Sequence, residues 1–474
     1  MNEHGLLIVT GIPVLTLGAL LVWSWRRISL LGTLIVGATL VHEIVLVSFP
    51  VWYSVFTDFE LEGSMNALVG ADDLLRVMTG ESIFVMMFAF AFIVGWPRLR
   101  LQTGLAIRTA FCQNQIRRSR LVLNLLIVMG ILVYIKRISP ISTLPGGTGW
   151  SLEQLFLSLI QAFFWFTSLA ACALVLTRRR ALFTNPVQAL LAGIPMLALV
   201  MVGLSTGLRG RIMWVISLLI VTGILNHQTK FVALGVVIAI LMIPLFAFFG
   251  SAYRFIDKDD MMTGPARIEM FSLLYQEGRD RVVEETKNMA DDFLYGLALR
   301  AQGPRNMVVL YRQYDNARGA GFNTYIGALF FPIPRLVWPE KPVAGGTDDT
   351  SLSSAMYKSM ELSYGDQGTM GPILASAHAY WEGGWGWLVA AGFITGLIWN
   401  KIIKLCRRIP EDIAAVVTLA FAAALLNDGM LTMLTPLYAI IIAGWQSVLP
   451  VLIIYRSTVL FFAKRSIIAS ESIP

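Results

Sequence analysis

Gly5-Leu-Leu-Ile-Val-Thr-Gly-Ile-Pro-Val-Leu-Thr-Leu-Gly-Ala-Leu-Leu-Val-Trp-Ser-Trp25 is a run of 21 residues without a single charge, closed by Arg26 and Arg27. A helix rises about 1.5 Å per residue, so such a run covers the roughly 30 Å of a bilayer's hydrocarbon core. It is too long for the apolar segment of a cleavable signal peptide, and it leads directly into a second apolar stretch at 28–49. It therefore reads as a retained membrane span. Working outward, further apolar runs lie at 76–96, 121–136, 152–176, 187–205, 212–227, 231–249, 385–400, 411–427 and 432–455, eleven in all.

The whole chain agrees. Of 474 residues, 56% are hydrophobic and 14% charged, with a mean hydropathy of +0.68. A soluble domain carries about 25% charged residues. This much apolar surface has no place to go in water, which excludes a soluble enzyme, a disordered chain and a secreted disulfide scaffold. The expected fold is all-α: a polytopic integral membrane protein of eleven transmembrane helices with one large extracytoplasmic loop. Residues 1–249 carry spans one to eight, 250–372 form the loop, and 373–474 carry spans nine to eleven and a tail.

Basic residues give the orientation, because cytoplasmic loops retain Lys and Arg. Alternating the spans places 19 of the 37 Lys and Arg on one side. They are Arg26, Arg27, those of residues 98–120, Arg178 to Arg180, Lys230, Lys401 to Arg408 and the tail from Arg456. Only Glu411, Asp412 and Glu471 accompany them. The basic side is read as cytoplasmic, with the N-terminus outside and the C-terminus inside. The net charge of +7 is thereby a matter of topology, and no nucleic-acid partner is implied. Cys112 and Cys406 fall on the cytoplasmic side and Cys172 within a span, so no disulfide is expected. Four scattered His and no Cys-x-x-Cys offer no metal-ligand spacing. Residues 101–120 could lie as a basic helix on the inner leaflet.

The loop at 250–372 has 123 residues, 13 basic and 16 acidic, and is soluble in character. Pro265 opens a helical stretch reaching about Ala301, with Ile268, Phe271, Leu274 and Tyr275 at helical spacing. Asp349 or Thr350 could cap a further short helix ending before Gly365. The aromatic content (Tyr311, Tyr314, Phe322, Tyr325, Phe330, Phe331, Trp338) argues against disorder, and long loops in compact proteins tend to carry function.

Three segments carry candidate chemistry. Leu204-Ser-Thr-Gly-Leu-Arg209-Gly-Arg211 sets two arginines beside glycines at an outer span junction. Guanidinium forks match phosphate oxygens and glycine admits backbone N–H groups, so this is either a phosphate clamp or an interfacial anchor. Phe331-Pro-Ile-Pro-Arg335-Leu-Val-Trp338-Pro-Glu-Lys341-Pro342 would fix an aromatic, cationic surface for sugar rings and pyrophosphate, or serve as a rigid connector. Ser376-Ala-His378-Ala-Tyr380-Trp-Glu382-Gly-Gly-Trp-Gly386 stands where the chain re-enters the membrane. His378 and Glu382 are four apart, so on a helix they share a face; they either receive a proton together or make a structural contact.

Two pairs of ionisable residues have weaker signals. His42 and Glu43 sit deep in the second span, where ionisable groups are costly; they are functional or pair with a polar group of another span. Asp72 and Asp73 suit a metal-using sugar transferase, and suit equally the favourable charge of a helix N-terminus.

The order of these features resembles the oligosaccharide repeat-unit polymerases, the Wzy-type O-antigen polymerases. Ser205-Thr-Gly-Leu-Arg209-Gly-Arg211 is similar to that family's Ser/Thr–Arg–Gly signature. Residues 333–342 are similar to its Pro-Arg…Trp-Pro-x-Lys-Pro element, the most distinctive of the three. His378-Ala-Tyr380-Trp-Glu382-Gly-Gly384 resembles its Glu-x-Tyr-x-Asn-Phe-Gly re-entry motif, with His378 in place of Glu and Glu382-Gly383 in place of Asn-Phe. The likeness covers residues 200–400; the amino-terminal half matches by topology alone.

The resemblance implies a membrane glycosyltransferase of GT-C-like architecture in the bacterial inner membrane. Such an enzyme joins repeat units carried on undecaprenyl pyrophosphate at the outer face, beside a flippase and a chain-length regulator. The chemistry it implies assigns catalytic roles to Arg211 and Arg335 on the pyrophosphate and to His378 or Glu382 as the base, positions where the chain departs from the family motif, with substrate contacts from Arg209, Lys341, Trp338 and Tyr380. No cofactor or metal is demanded, since arginines can stabilise the pyrophosphate charge. An O-antigen ligase, a metal-dependent sugar transferase, a polysaccharide or lipid transporter and a scaffold for a synthase are the competing readings.

Overall fold

The computed structural model describes residues 3–28, 30–57, 71–95, 233–235, 237, 303–315, 323–331, 333, 337–338, 374–408, 433–445 and 449. Among them all regular structure is helical: α1 (Glu3–Arg27), α2 (Leu30–Glu43), a π-helical turn (Ile44–Ser48), α3 (Phe49–Phe56), α4 (Ala71–Val94), α5 (Gly303–Asp315), α6 (Asn323–Leu329), α7 (Ala375–Arg408) and α8 (Leu437–Ala443). Four segments are long and apolar enough to cross a membrane: His4–Trp25, Ile35–Phe56, Asp72–Val94 and Ala375–Lys404. These correspond to the first, second, third and ninth of the eleven expected spans. The other seven, and the helices expected at 265–301 and after Asp349, lie outside the described residues, apart from a few positions in the eighth span and the start of the eleventh.

Two spans depart from their expected limits. The second continues past Pro50 to Phe56, because the proline occupies the first turn of α3, where its missing N–H costs no hydrogen bond. The ninth begins at Ala375, ten residues before the apolar run, since the polar Ser376, His378 and Glu382 are buried against protein and not exposed to lipid.

The core of the bundle is α4 packed between α1 and α7. Its closest approach is made by small residues. A methyl group on Gly392 would come within 2.7 Å of the Phe84 carbonyl oxygen, and one on Gly396 would strike that of Phe88. One turn further, Asn400 Nδ2 donates to the Phe92 carbonyl at 2.5 Å, and Lys404 Nζ donates to Gly95 O. Successive partners advance together by about four residues, so α4 and α7 run parallel, backbone against backbone. This is how membrane helices gain dispersion contact without a hydrophobic driving force between them. Phe84, Phe88 and Phe92 fill the flanks of this seam.

α2 and α3 run back along α1. Ser48 Oγ and Trp52 Nε1 donate to the Thr10 carbonyl and hydroxyl, and Ser82 Oγ ties α4 to the Val9 carbonyl. Arg27, Gly95 and Lys404 mark one end of the bundle. The loop helix α5 sits at the other end, against α4 and α7, with Met307, Val308, Leu310 and Tyr311 buried. A short helix of the loop, α6, packs on α8.

Candidate functional site

The first turns of α7 organise this end of the bundle. Ser376 and Tyr380 lie on one face of the helix, towards α4 and α5; His378 and Glu382 lie on another, towards α6 and α8. The helix breaks immediately afterwards. Gly383 leaves helical geometry, and Gly384 takes φ +65°, a left-handed conformation that side chains other than glycine adopt at a cost. The Tyr314 hydroxyl crowds Gly384, where a methyl group would meet it at 2.6 Å.

On the inner face, His378 Nδ1 stands 3.1 Å from Glu382 Oε1, both side chains fully enclosed. The contact is within ion-pair distance without making a hydrogen bond, and His378 Nε2 has no hydrogen-bond partner among the described residues. Glu382 Oε2 is held by two donors: the Tyr325 hydroxyl from α6, and Trp387 Nε1 at 3.1 Å from beyond the glycine break. The Tyr438 ring lies over the imidazole with centroids 4.6 Å apart, and Trp381 meets it edge-on at 5.8 Å. Burial, and then the adjacent Glu382 carboxylate, push the Tyr325 phenol above its ordinary range, so it remains a donor. The arrangement is a carboxylate held through one oxygen by two donors, next to an imidazole whose far nitrogen is uncommitted among the described residues.

On the outer face, Arg76 reaches across from the second turn of α4. It forks onto Asp315 at the end of α5, Nη1 to Oδ2 at 2.5 Å and Nη2 to Oδ1 at 3.0 Å, and also donates to the Tyr380 hydroxyl. Tyr380 in turn donates to Asp315 Oδ1 at 3.1 Å. The rings of Tyr380 and Tyr311 stack face to face, 3.7 Å apart and 5° from parallel, with Trp385 edge-on to both. The guanidinium lies over this pair, 5.4 Å and 5.8 Å from the two centroids. Arg312, one turn before Asp315, bonds Asp73. Tyr311 is enclosed, and burial raises its phenol well above the ordinary range, with the Glu81 carboxyl adding to the effect.

His378 and Glu382 thus come together, while Tyr380 faces a separate cluster with its ring covered by Tyr311 and its hydroxyl engaged. Trp338 is half-buried and meets Phe330 edge-on at 5.6 Å. Arg209, Arg211, Arg335 and Lys341 lie outside the described residues. Asp72 and Asp73 are in the first turn of α4, and the Asp73 carboxylate is taken by Arg312. His42 and Glu43 make no hydrogen bond among the described residues, so the expected polar partner is not found there.

Sequence reasoning passes over Arg76, Arg312, Asp315, Glu81 and Trp387. One signal was present: Asp73 with Arg76, and Arg312 with Asp315, are opposite charges three apart, each bordering an apolar helical stretch. The two pairs are complementary in the same order.

No family model, curated protein or solved structure matches this chain.

Proposed function

We propose that this chain polymerises undecaprenyl-pyrophosphate-linked oligosaccharide repeat units into a surface polysaccharide at the outer face of a bacterial inner membrane. The observation that carries the reading is the His378–Glu382 pair. It is a proton-handling geometry, buried at the mouth of a membrane bundle and built jointly by the re-entry motif and the preceding loop. The same end of the bundle gathers a group of aromatic rings, Tyr311, Tyr380 and Trp385, of the kind that packs against sugars.

The chemistry asked of the site is a glycosyl transfer. The bond between the anomeric carbon and the pyrophosphate oxygen breaks, and the electron pair leaves with undecaprenyl pyrophosphate. A hydroxyl of the next lipid-linked unit bonds to the anomeric carbon, which carries oxocarbenium character in between. The hydroxyl proton goes to His378 Nε2, and the nearby Glu382 carboxylate stabilises the imidazolium that results. Arg211 and Arg335, with Arg209 and Lys341 beside them, are assigned to the charge growing on the pyrophosphate. Trp338 offers a ring to the sugars, and Tyr380, bonded to Arg76 and Asp315, fixes the first turns of α7 that carry His378. Metal is not required in this scheme, and a flippase and a chain-length regulator are its natural partners. The basic end of the bundle, with Arg27 and Lys404, is then cytoplasmic.

The test is a deletion strain, complemented with wild type, His378→Ala, Arg211→Ala or Arg335→Ala at matched membrane abundance. Single repeat units without longer chains are expected in the deletion and in all three variants. Full-length chains stranded on undecaprenyl pyrophosphate would indicate a ligase instead, and full polymer in all three variants would sink the assigned roles.

A further inference from the structure

Glu43 is the ninth residue of the apolar segment Ile35–Phe56, and Glu81 the tenth of Asp72–Val94, so both carboxyls sit near mid-span. Neither is exposed to lipid or water: residue exposure is 0% and 1%. A methyl group on Gly303 would meet both the Leu46 carbonyl, in the turn that follows Glu43, and the Leu374 side chain, two residues before Ser376, so the chain after Glu43 lies beside the start of α7, where Glu81 is bonded. Both oxygens of Glu43 lack a hydrogen-bond partner among the described residues. Glu81 Oε2 accepts from the Ser376 hydroxyl at the start of α7.

A second observation comes from a different element. The hydroxyl of Tyr311, on α5, is enclosed and likewise unpartnered among the described residues. It rests against Gly80, the neighbour of Glu81 in the chain, where no side chain larger than hydrogen would leave it room. The backbone is irregular here as well. The π-helical turn Ile44–Ser48 begins at the residue after Glu43, and such turns concentrate at functional sites.

No described cation answers these two acids. Arg76, on the same helix as Glu81, spends its guanidinium on Asp315 and Tyr380. The span of α1 has no charged residue between Gly5 and Trp25. His42 adjoins Glu43 in the chain but bonds nothing among the described residues. Two uncompensated carboxylates in an apolar bundle would cost far more than folding can supply, so such groups mark ion or proton sites. The donors are all oxygens, which suit hard cations.

We propose that Glu43, Glu81, Ser376 and Tyr311 form an intramembrane site for small monovalent cations, H⁺ or Na⁺. The site is distinct from the His378–Glu382 pair and does not rest on the transferase reading. The experiment uses the purified full-length protein in nanodiscs, with Glu43→Gln and Glu81→Gln beside it. Melting is followed as NaCl replaces choline chloride, with KCl as control, and the carboxyl bands are read by infrared spectroscopy in Na⁺-free buffer. Na⁺ as occupant predicts a saturable rise in melting temperature that KCl does not give and that Glu43→Gln abolishes. H⁺ as occupant predicts a protonated-carboxyl band in wild type that either substitution removes or weakens, without Na⁺ dependence. Two ionised carboxylates in Na⁺-free buffer, together with melting indifferent to Na⁺, would overturn the proposal. Should either variant fail to fold, the wild-type readings decide alone.

Discussion

Arg76 and Asp315, 239 residues apart in sequence, are joined by a two-pronged ion pair at 2.5 and 3.0 Å. Asp73 and Arg312 are separated by the same 239 residues and are also paired, so α4 and α5 align in one register with their charges exchanged. This double pair fastens the loop helix to the membrane bundle. Each side chain of the Arg76–Asp315 pair is a little over a third exposed, at 38% and 35%, so its worth is discounted for solvent to about 1 kcal/mol. A double-mutant cycle of Arg76→Ala and Asp315→Ala should return a coupling of that order. The charge exchange Asp73→Arg with Arg312→Asp should recover the stability that either substitution alone loses.

The carboxylate of Glu382 depends on donors from two other segments. Tyr325→Phe deletes a hydrogen bond to a buried charged group, at a cost of about 1.5–3 kcal/mol. If Glu382 supports His378, polymer formation should fall further in Tyr325→Phe than in a stability-matched variant elsewhere. Thermal melting and polymer yield, measured on the same preparations, separate the two effects.

The glycine break in α7 offers a matched comparison. Gly384 has φ +65° and Tyr314 against it, while Gly386, two residues on, has nothing within 4 Å. Gly384→Ala should destabilise by about 1–2 kcal/mol from backbone strain, and by more if Tyr314 cannot withdraw. Gly386→Ala should be neutral. In the seam below, Gly396→Ala meets the backbone of Phe88, which cannot swing aside, and should loosen α7 from α4. Cross-linking between cysteines placed on the two helices would report it.

Alkaline pH acts on the two enclosed phenols. Burial raises Tyr311 and Tyr325 above the value of about 10 that they have when unfolded. Above that pH the unfolded chain releases protons that the folded chain retains, so stability declines as pH rises and is unaffected below it. Tyr325→Phe removes one titrating group and should flatten the alkaline limb of a melting-temperature profile.

Four of the apolar runs spell out described helices because a span must satisfy its own backbone and present apolar side chains to lipid. The run at 5–25 becomes Glu3–Arg27, and that at 76–96 becomes Ala71–Val94. What hydropathy cannot register is a polar stretch buried by other protein, and for that reason the true start of α7 lies ten residues upstream of its apolar run. The i, i+4 spacing of His378 and Glu382 was legible because a helix enforces it locally. The Arg76–Asp315 pair and the Tyr325–Glu382 hydrogen bond were not, since each joins segments whose nearness is decided by tertiary packing. Glu43 was visible as a costly residue in a span; that Glu81 is a second enclosed acid, held by Ser376 from α7, depended on tertiary packing.

The proposed polymerisation can be followed by reconstitution, free of other cell components. Lipid-linked repeat units extracted from a deletion strain would be incubated with the purified protein in liposomes, and the products resolved by length. A ladder of lipid-linked oligomers is expected with wild type and none with His378→Ala. Repeat units that remain single with a folded wild-type protein would contradict it.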